Sequence, residues 1–565
     1  MIAHSSQRPA AVWRSRWRIA VPVAALGLAG ALAAAVPASG AVAHHQHPGR
    51  PWFLPGNLVV SGSVYTGQAS LFTPGVTELP PGCVGSACTP AVADGTYPGV
   101  FNNDASDGSF GITSPIFLDQ ITPSGHLINT LRVADGNGPG GTGRNHVVTS
   151  FSSKSELALN LSTNGRDLTF AGYYAQPNTV DVSNANTPGE IDPTNPVAAG
   201  YYRVVAEVNA GGRIHYTLSN AYSGDNGRAA ILNNSGGSNV IYTAGNAGNG
   251  SNPQPDGIII GAGAQIMTPQ RASEREQTKT VGAPTPVGSF NVTQLGDKAD
   301  KIGKDTNFRG LTVYNNVVYY TKGSGSNGVN TVYFVDTTGN ACPATGVGVP
   351  QPGAKLPTSP IAYNPALLQT EGVTPYNMCV LQGFPTTLAK NATMFPFGMW
   401  FANADTLYVA DEGDGTNTYS AATNTYTDAA GQTTAGLQKW VFNGTSWNLA
   451  YTLTSGLNLG VPYTVPGYPA GDNAATGLPW APATDGLRNL TGRVNRNGTV
   501  TIWAITSTVS GSGDQGADPN KLVAITDPLS ASSPAPWEQF VTVRSAGFGQ
   551  VLRGVSFTPG TYFVR

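Results

Sequence analysis

Short apolar segments, each followed by a tight polar turn and a second apolar segment, recur along this chain. In the first clear case, residues 157–161 and 168–173 flank the turn Ser162-Thr163-Asn164-Gly165. Asn, Gly and Asp are common in these turns, and they tolerate the positive φ that tight hairpin turns require. The corresponding first segments begin near residues 157, 229, 311, 399, 490 and 555. This pattern predicts strands paired in hairpins and an all-β fold.

A second kind of hairpin follows most of the first ones. Its instances are 116–121 with 127–133, 201–208 with 214–218, 437–442 with 447–453, and 522–526 with 540–543. An inner and an outer hairpin together make a four-stranded unit, which buries both of its faces only by stacking on similar units around an axis. The sequence therefore predicts a β-propeller. Its repeat of roughly 65 to 90 residues exceeds the ~40–50 of compact propeller families because loops are inserted.

The two ends of the repeat region are complementary. Residues 58–64 resemble a second strand that lacks a first, and residues 555–557 resemble a first strand that lacks its outer hairpin. One blade shared between the termini closes the ring and removes free strand edges. The pattern favours six blades. Seven blades are the alternative if residues 58–64 form an innermost strand of their own.

The N-terminal segment has the features of an export signal. Arg14, Arg16 and Arg18 precede an apolar run over 19–36, and Ala41-Val42-Ala43 fits an A-x-A cleavage site. We expect a signal peptide at 1–43, a flexible leader at 44–56 and one propeller domain at 57–565. The mature protein would be secreted and extracellular, without a membrane span. A retained membrane anchor is the alternative interpretation of the same run.

Composition agrees with a soluble, loop-rich β protein. Of 565 residues, 71 are Gly and 42 are Pro, while charged residues make up 11 % and the formal net charge is −2. The 40 % hydrophobic content is enough for a packed core. Nothing in this charge balance indicates a nucleic-acid partner, which normally needs a clustered basic face. We expect a monomer.

The chain contains four cysteines, Cys83, Cys88, Cys342 and Cys379. An even number in an exported protein indicates disulfides. Of the three possible pairings, Cys83–Cys88 with Cys342–Cys379 is favoured, because each pair then lies within one loop region.

The long loops indicate which face of the propeller is functional. Connections within each hairpin are mostly short, whereas those over 66–114, 176–199, 411–435 and 455–486 are long and lie on the opposite face. Long loops on a rigid scaffold are where binding residues concentrate. The Pro-rich stretch 338–378 is the exception and lies on the short-turn face. The innermost strands begin at the long-loop face, beside the axis.

Four arginines, Arg228, Arg309, Arg488 and Arg553, stand at the beginnings of innermost strands. Guanidinium groups bind carboxylates and phosphates in a bidentate manner. Their repeated position predicts a ring of cations that binds an anionic ligand at the mouth of the central funnel. The alternative is structural, with each arginine anchored to a carboxylate or carbonyl of the neighbouring blade.

Further candidate groups lie near the same face. Asp411, Glu412 and Asp414, with Gly413 between them and Gly415 after them, form an oxygen-rich turn suited to calcium, or else an ordinary solvated acidic turn.

His146 and Glu156 precede the second blade and are the candidate catalytic residues, His146 as a general base. Each is equally explained as a structural residue. Aromatic residues that suit stacking on sugars, or packing between blades, are Trp400, Trp447, Trp480, Tyr463 and Tyr468.

The hairpin Pro-Phe-Gly-Met-Trp-Phe-Ala-Asn-Ala-Asp-Thr-Leu-Tyr-Val-Ala-Asp at 396–411 carries a family resemblance. With the other hairpins, it resembles the secreted six-bladed propellers that include the SMP-30/gluconolactonase, strictosidine-synthase-like and NHL-repeat groups. In lactonase-like members an axial calcium is held by Glu, Asn and Asp. The resemblance implies a comparable role for Glu156 and Asp411.

Two functions remain open from the sequence. The first is binding of an anionic or carbohydrate-type ligand, a small molecule or a polysaccharide, at the long-loop face. The second is metal-assisted hydrolysis or lysis, of the lactonase or esterase kind, in which carboxylates hold a cation that polarises a carbonyl group. The sequence contains no G-x-S-x-G elbow, H-E-x-x-H or Walker loop.

Overall fold

The structure of this chain is a computed structural model. It describes residues 51–65, 112–133, 147–177, 181–183, 185–188, 200–246, 263–270, 287–292, 307–324, 328–341, 345–358 and 377–562, with breaks at 469, 474–475 and 512–515, and four short strands between 78 and 102. The described residues belong to one compact unit, Gln46–Arg565. About half of the structure is strand and 2 % is helix, which confirms the all-β prediction.

The strands are numbered in chain order. The first are β1 (Leu58–Val64), β2 (Glu78–Leu79), β3 (Thr89–Pro90), β4 (Val92–Ala93), β5 (Phe101–Asn102), β6 (Thr113–Ile121), β7 (Leu127–Arg132), β8 (Val147–Ser150), β9 (Asn160–Leu161), β10 (Asp167–Tyr174), β11 (Arg203–Asn209) and β12 (Ile214–Ser219). The next are β13 (Gly227–Asn233), β14 (Val240–Gly245), β15 (Ala264–Met267), β16 (Val287–Ser289), β17 (Asn291–Val292), β18 (Phe308–Tyr314), β19 (Val317–Lys322), β20 (Thr331–Val335), β21 (Val347–Gly348) and β22 (Asn377–Leu381). The last are β23 (Pro396–Asn403), β24 (Thr406–Asp411), β25 (Tyr419–Ser420), β26 (Thr425–Tyr426), β27 (Gly436–Phe442), β28 (Trp447–Leu453), β29 (Ala483–Val494), β30 (Thr499–Val509), β31 (Lys521–Pro528), β32 (Val541–Ser545) and β33 (Gln550–Phe557).

Four-stranded antiparallel units dominate this arrangement. Three of them are separate sheets, β13–β16, β23-β24-β27-β28 and β29–β32. In another, β18-β19-β20-β22 is extended by β17 and β21, which run parallel to β22. The units form a propeller-like ring in which four blades can be distinguished. The predicted count of six is taken up under the proposed function.

The chain ends meet in one sheet. β1 pairs antiparallel with β33, with Leu58 opposite Phe557 and Val60 opposite Val555, and its other edge pairs with β6. β7 completes this unit by pairing with β6. The prediction that residues 58–64 lie beside the C-terminal strand is confirmed. β8, which the sequence pattern did not indicate, pairs with both β6 and β10 and joins this unit to β9–β12.

Glycines let the innermost strands of neighbouring sheets approach one another closely. A Cβ at Gly310 would lie 2.5 Å from the carbonyl oxygen of Phe397, and one at Gly398 would lie 2.8 Å from that of Arg488. A Cβ at Gly554 would meet the carbonyl oxygen of Leu157. β18 and β23 also change register at these glycines. Strand-to-strand contact at the axis is therefore made by backbone rather than by side chains.

Hydrogen bonds continue the same series around the ring. Thr169 Oγ1 donates to Ala230 O (2.6 Å), Arg228 NH1 donates to Phe308 O (3.0 Å), and Asn489 Nδ2 donates to Arg553 O (2.9 Å). Aromatic side chains also pack between sheets. The Tyr314 ring of β18, for example, stacks on the Phe401 ring of β23 with 4.6 Å between ring centroids.

In the described ranges, helical structure is limited to a 3-10 turn at Ala389–Asn391 and a one-turn helix, α1, at Thr427–Gly431. Within the described part of the chain, no helix has the length and apolar character needed to cross a bilayer.

Replacing Gly398 by Ala should destabilise the ring. The new Cβ would collide with the Arg488 carbonyl, and overpacking of this kind costs about 1–3 kcal/mol. We expect a lower melting temperature, measured by calorimetry. Gly431→Ala is the matched control, because no atom lies within 4 Å of a Cβ there. Equal melting temperatures for the two variants would contradict the close approach.

Candidate functional site

The segment from Phe151 to Leu157, here called the axial segment, connects β8 to β9 and touches several sheets. Arg553 donates to the carbonyl oxygen of Phe151, and Arg309 donates to Ser155 Oγ. Ser61 Oγ donates to the carbonyl oxygen of Leu157 at 2.7 Å. Leu157 is buried at a φ of 61°, a left-handed conformation that a branched side chain rarely adopts and that persists only where its surroundings enforce it.

One carboxylate at this segment faces three cations. Glu412 Oε2 lies 3.5 Å from Lys154 Nζ and 3.3 Å from Arg488 Nε, and Glu412 Oε1 lies 3.7 Å from Arg309 NH2. The side chains of Glu412, Arg488 and Arg309 are at most 5 % exposed, whereas that of Lys154 is 27 % exposed. These four residues are called the Glu412 cluster. Lys154 is its member that solvent reaches.

The charges in the cluster perturb one another. Burial would raise the pKa of Glu412, but Lys154, Arg309 and Arg488 together hold it below its usual value. Glu412 is therefore an anion at neutral pH. Desolvation lowers the pKa of Lys154, opposed by Glu412, while Arg309 and Arg488 lower it further. The cluster carries more positive than negative charge.

The four predicted arginines contact two kinds of partner. Arg309 and Arg488 meet at Glu412, a carboxylate that follows β24 in another sheet, which is also a contact that the alternative interpretation expects. Arg228 instead binds Asn226, Asn307 and the carbonyl oxygen of Phe308, and Arg553 binds Ser63 Oγ and the carbonyl oxygen of Phe151. Burial, followed by repulsion from Arg309, lowers the pKa of Arg228 to about 9. Arg228 and Arg553 thus have the structural contacts that formed the alternative interpretation.

The acidic turn separates into residues with different environments. Both Asp411 oxygens accept hydrogen bonds, Oδ2 from Phe395 N and Gln438 Nε2, and Oδ1 from Gly413 N. Asp414 is exposed and accepts from Thr416 N and Gln432 Nε2. Among the described residues no group of three or more His, Cys, Asp or Glu side chains is placed to hold a metal ion. The calcium hypothesis gains no support from this turn.

The structure describes one of the two candidate catalytic residues, Glu156. His146 lies outside the described residues. Glu156 is completely buried, with Oε2 accepting from Ser150 N and Thr149 Oγ1 and Oε1 accepting from the Tyr173 hydroxyl. Burial raises the pKa of Glu156 against these hydrogen bonds and the nearby Arg553. Its surroundings are those of a structural acid beneath the axial segment.

Three of the predicted aromatic residues, Tyr463, Tyr468 and Trp480, lie between β28 and β29. Tyr468 packs edge-on against Trp480 and Phe548, at 6.4 and 6.2 Å between ring centroids, and Phe548 is 41 % exposed. Lys521 Nζ lies 3.6 Å from the centroid of the Tyr463 ring. Tyr468 donates to Asp518 at 2.8 Å. The charge of Arg488 acts on one of these rings, Tyr463, and on Asp518.

The other predicted aromatic residues have packing roles. Trp447 is buried and packs against Phe401, and Trp400 packs on Tyr408. These two tryptophans fit the alternative interpretation of packing in and between blades.

Sequence reasoning missed Lys154 and Asp485. Asp485 is buried beside the cluster and accepts hydrogen bonds from Gly415 N (2.9 Å) and Gln432 Nε2 (2.7 Å). The sequence signal that could have identified these two residues is the low number of charged residues. In a chain with 11 % charged residues, a charged residue beside an innermost strand is unusual.

Of the four cysteines, Cys83, Cys88 and Cys342 lie outside the described residues. Cys379 is buried in β22 and is not free. Its Sγ lies 3.6 Å from the carbonyl oxygen of Ala341, the residue before Cys342. The two pairings remain predictions.

No protein-family model and no curated protein matches this sequence. The SMP-30 and NHL resemblance is thus supported only as a propeller-like arrangement. Among solved structures, the acylaminoacyl peptidase of Pyrococcus horikoshii is 8 % identical with a TM-score of 0.26. The match covers 74 % of this chain and 48 % of that one, so this chain spans about half the peptidase's length.

Two other solved structures that are similar to this chain are those of a viral protein and of a polysaccharide lyase. The hemagglutinin-neuraminidase ectodomain of parainfluenza virus 5 is 11 % identical (TM-score 0.26), covering 81 % of this chain and 78 % of that one. A polysaccharide lyase, an ulvan lyase bound to -[GlcA(1-4)Rha3S]-, is 10 % identical (TM-score 0.26), covering 88 % and 96 %. At these scores the similarities carry no argument about function.

Stability should fall as the pH rises from about 4 to about 7. Burial raises the pKa of Asp181, Asp411 and Asp485 to about 7, against about 3.9 in an unfolded chain. The folded protein thus binds protons that the unfolded chain has released. This contribution is complete below the unfolded pKa and is lost as the pH passes the folded pKa. Calorimetry at pH 5 and pH 8 should show the lower melting temperature at pH 8.

The Asp411→Asn variant should show a weaker pH dependence than the parent protein. The control is Asp405→Asn at an exposed turn, which should leave the slope unchanged. An identical slope in all three proteins would contradict a raised pKa at Asp411.

Proposed function

We propose that this protein is an exported six-bladed propeller that binds an anionic carbohydrate-type ligand on its long-loop face, at the Glu412 cluster. The observation that carries the proposal is the arrangement of charge, with three cations within 4 Å of one carboxylate. Cations gathered at one place give a positive potential that favours an anionic ligand. Arg309 and Arg488 are held in place by burial, and partly exposed Lys154 is the group that an incoming carboxylate or sulfate meets first.

The neighbouring aromatic rings support a carbohydrate-type ligand. Sugar rings present apolar C–H faces that pack on aromatic side chains, while their hydroxyl and acidic groups need polar partners. Phe548 and Trp480 keep part of their surfaces exposed, and the charge of Arg488 acts on Tyr463, which lies on the same loop as Trp480. An acidic sugar chain combines both requirements.

The blade count of six is our inference from the contacts between innermost strands. In the described residues these contacts run from β9–β10 to β13, then to β18, β23, β29 and β33. They return to the start through Gly554 and the Leu157 carbonyl that precedes β9. In this series β1 is the second strand of the terminal unit rather than an innermost strand, which favours six blades over seven.

Arg488→Gln should weaken the binding of polygalacturonate about tenfold or more, because a charge-assisted hydrogen bond to a ligand contributes about 1.5–3 kcal/mol. Binding is measured by isothermal titration calorimetry at low ionic strength. Arg166→Gln is the matched control, since Arg166 is exposed in a short turn within a hairpin. Neutral dextran serves as the control ligand. Equal affinities of the two variants for polygalacturonate would overturn the proposal.

Glu412→Gln separates binding from folding. The change removes the internal anion that competes with the ligand but strands buried cations, which costs about 3–5 kcal/mol. We therefore expect a lower melting temperature together with tighter polygalacturonate binding. Galacturonate oligomers should raise the melting temperature of this variant more than that of the parent protein. A cluster with a purely structural role would show the loss of stability with no ligand-dependent recovery.

A further inference from the structure

The Glu412 cluster joins an amine to two guanidinium groups through one shared carboxylate. Lys154 Nζ and Arg488 Nε both lie within 3.5 Å of the same oxygen, Glu412 Oε2, and Arg309 NH2 lies on the other oxygen. A small ligand that displaces Glu412 from the guanidinium groups therefore has its neighbouring atoms beside the amine. Ser155 follows Lys154 directly, and its hydroxyl oxygen accepts a hydrogen bond from Arg309. The backbone that carries the Lys154 amine is therefore held against the Arg309 guanidinium group.

Access distinguishes Lys154 from the other cations. Arg309 and Arg488 are 5 % and 3 % exposed, and Lys154 is 27 % exposed. A guanidinium group is not a nucleophile in proteins, whereas a lysine amine is. Lys154 is thus the nucleophile that a ligand bound at this cluster would contact.

We propose that Lys154 forms a reversible imine with an anionic carbonyl compound, namely a 2-oxo acid or the open-chain aldehyde form of a uronic acid, whose carboxylate binds Arg309 and Arg488. This inference rests on the proposed anion site and adds a covalent step to it. In both ligand classes one molecule carries a carboxylate and an electrophilic carbonyl carbon. The cluster presents complementary groups for the two.

The step balances without an added oxidant or reductant. Glu412 takes a proton from the Lys154 ammonium group, and the amine lone pair then forms a bond to the carbonyl carbon as the C=O π bond breaks. A proton then moves from the nitrogen to the former carbonyl oxygen, which becomes the hydroxyl of a carbinolamine. That hydroxyl leaves as water with a second proton, returned by Glu412, as the nitrogen lone pair forms the C=N bond. The protonated imine keeps the single positive charge that the Lys154 ammonium group had at the start. Hydrolysis reverses each step.

The test uses pyruvate as the probe and sodium borohydride as the trap, which reduces any imine to a stable secondary amine. Peptide mapping by mass spectrometry should place the adduct mainly on Lys154. Galacturonate oligomers added first should protect it. Lys154→Arg keeps the positive charge and should abolish this adduct, and Lys390→Arg, at an exposed lysine, should leave it unchanged. Adducts spread over the exposed lysines without preference for Lys154 would overturn the inference.

A second arm tests the role of the guanidinium groups. Arg488→Gln should reduce pyruvate labelling of Lys154 about tenfold, as the loss of one charge-assisted hydrogen bond predicts. Labelling by propanal, which has a carbonyl group but no carboxylate, should not fall. Equal effects on the two probes would contradict carboxylate recognition at this cluster.

The same experiments separate failure of this inference from failure of the proposed function. Polygalacturonate binding by the parent protein without selective labelling of Lys154 would reject the imine and retain the anion site. Selective labelling by pyruvate without polygalacturonate binding would reject the carbohydrate-type ligand and retain the imine.

Discussion

Close approach of backbone to backbone at the centre of the ring is the constraint on which the rest of this structure depends. Wedge-shaped sheets that converge on an axis leave little room between their innermost strands, and a side chain there forces them apart. Gly310, Gly398 and Gly554 remove the obstacle. The first two face carbonyl oxygens of the next innermost strand, and Gly554 faces the carbonyl oxygen of Leu157 in the axial segment. The register shifts in β18 and β23 at these points turn the neighbouring side chains.

That geometry explains why charged residues collect beside the glycines. Arg309 and Arg553 directly precede Gly310 and Gly554, and Arg488 follows Gly486 by two residues. In the β23 sheet the equivalent position holds Phe397, whose ring lies under the Arg309 guanidinium group at 5.7 Å. The innermost strands therefore deliver long cationic side chains to the centre. Glu412, at the end of β24, is the counter-charge that keeps two of them in place.

The axial segment supplies hydrogen-bond partners to two of the four predicted arginines. It brings Lys154 and Ser155 across to Glu412 and Arg309 and supplies the Phe151 carbonyl to Arg553. Arg553 and Arg309 hold this segment in place through hydrogen bonds. Lys154, Arg309 and Arg488 gather around Glu412. Arg309 and Arg488 contact the Glu412 carboxylate, and Arg228 and Arg553 contact carbonyl oxygens, so each of the four arginines has a structural partner.

The sequence by itself determined the strands, the hairpins and the pairing of the chain ends, because these follow from local alternation and turn residues. The pairing of β1 with β33 was predictable, because residues 58–64 lacked a first strand before them and residues 555–557 lacked an outer hairpin after them. The sequence also placed Arg309 and Arg488 on the first strands of their sheets, β18 and β29.

Only the tertiary structure decided which charges meet. Residues 154, 309, 412 and 488 are far apart along the chain, and their distances depend on how the ring closes and on the path of the axial segment. For the same reason, local pattern assigned Glu412 to a metal-binding turn with Asp411 and Asp414, although its nearest charged groups come from other sheets. Electrostatic partners across a ring of sheets have no periodic signature in the sequence. They are fixed by packing.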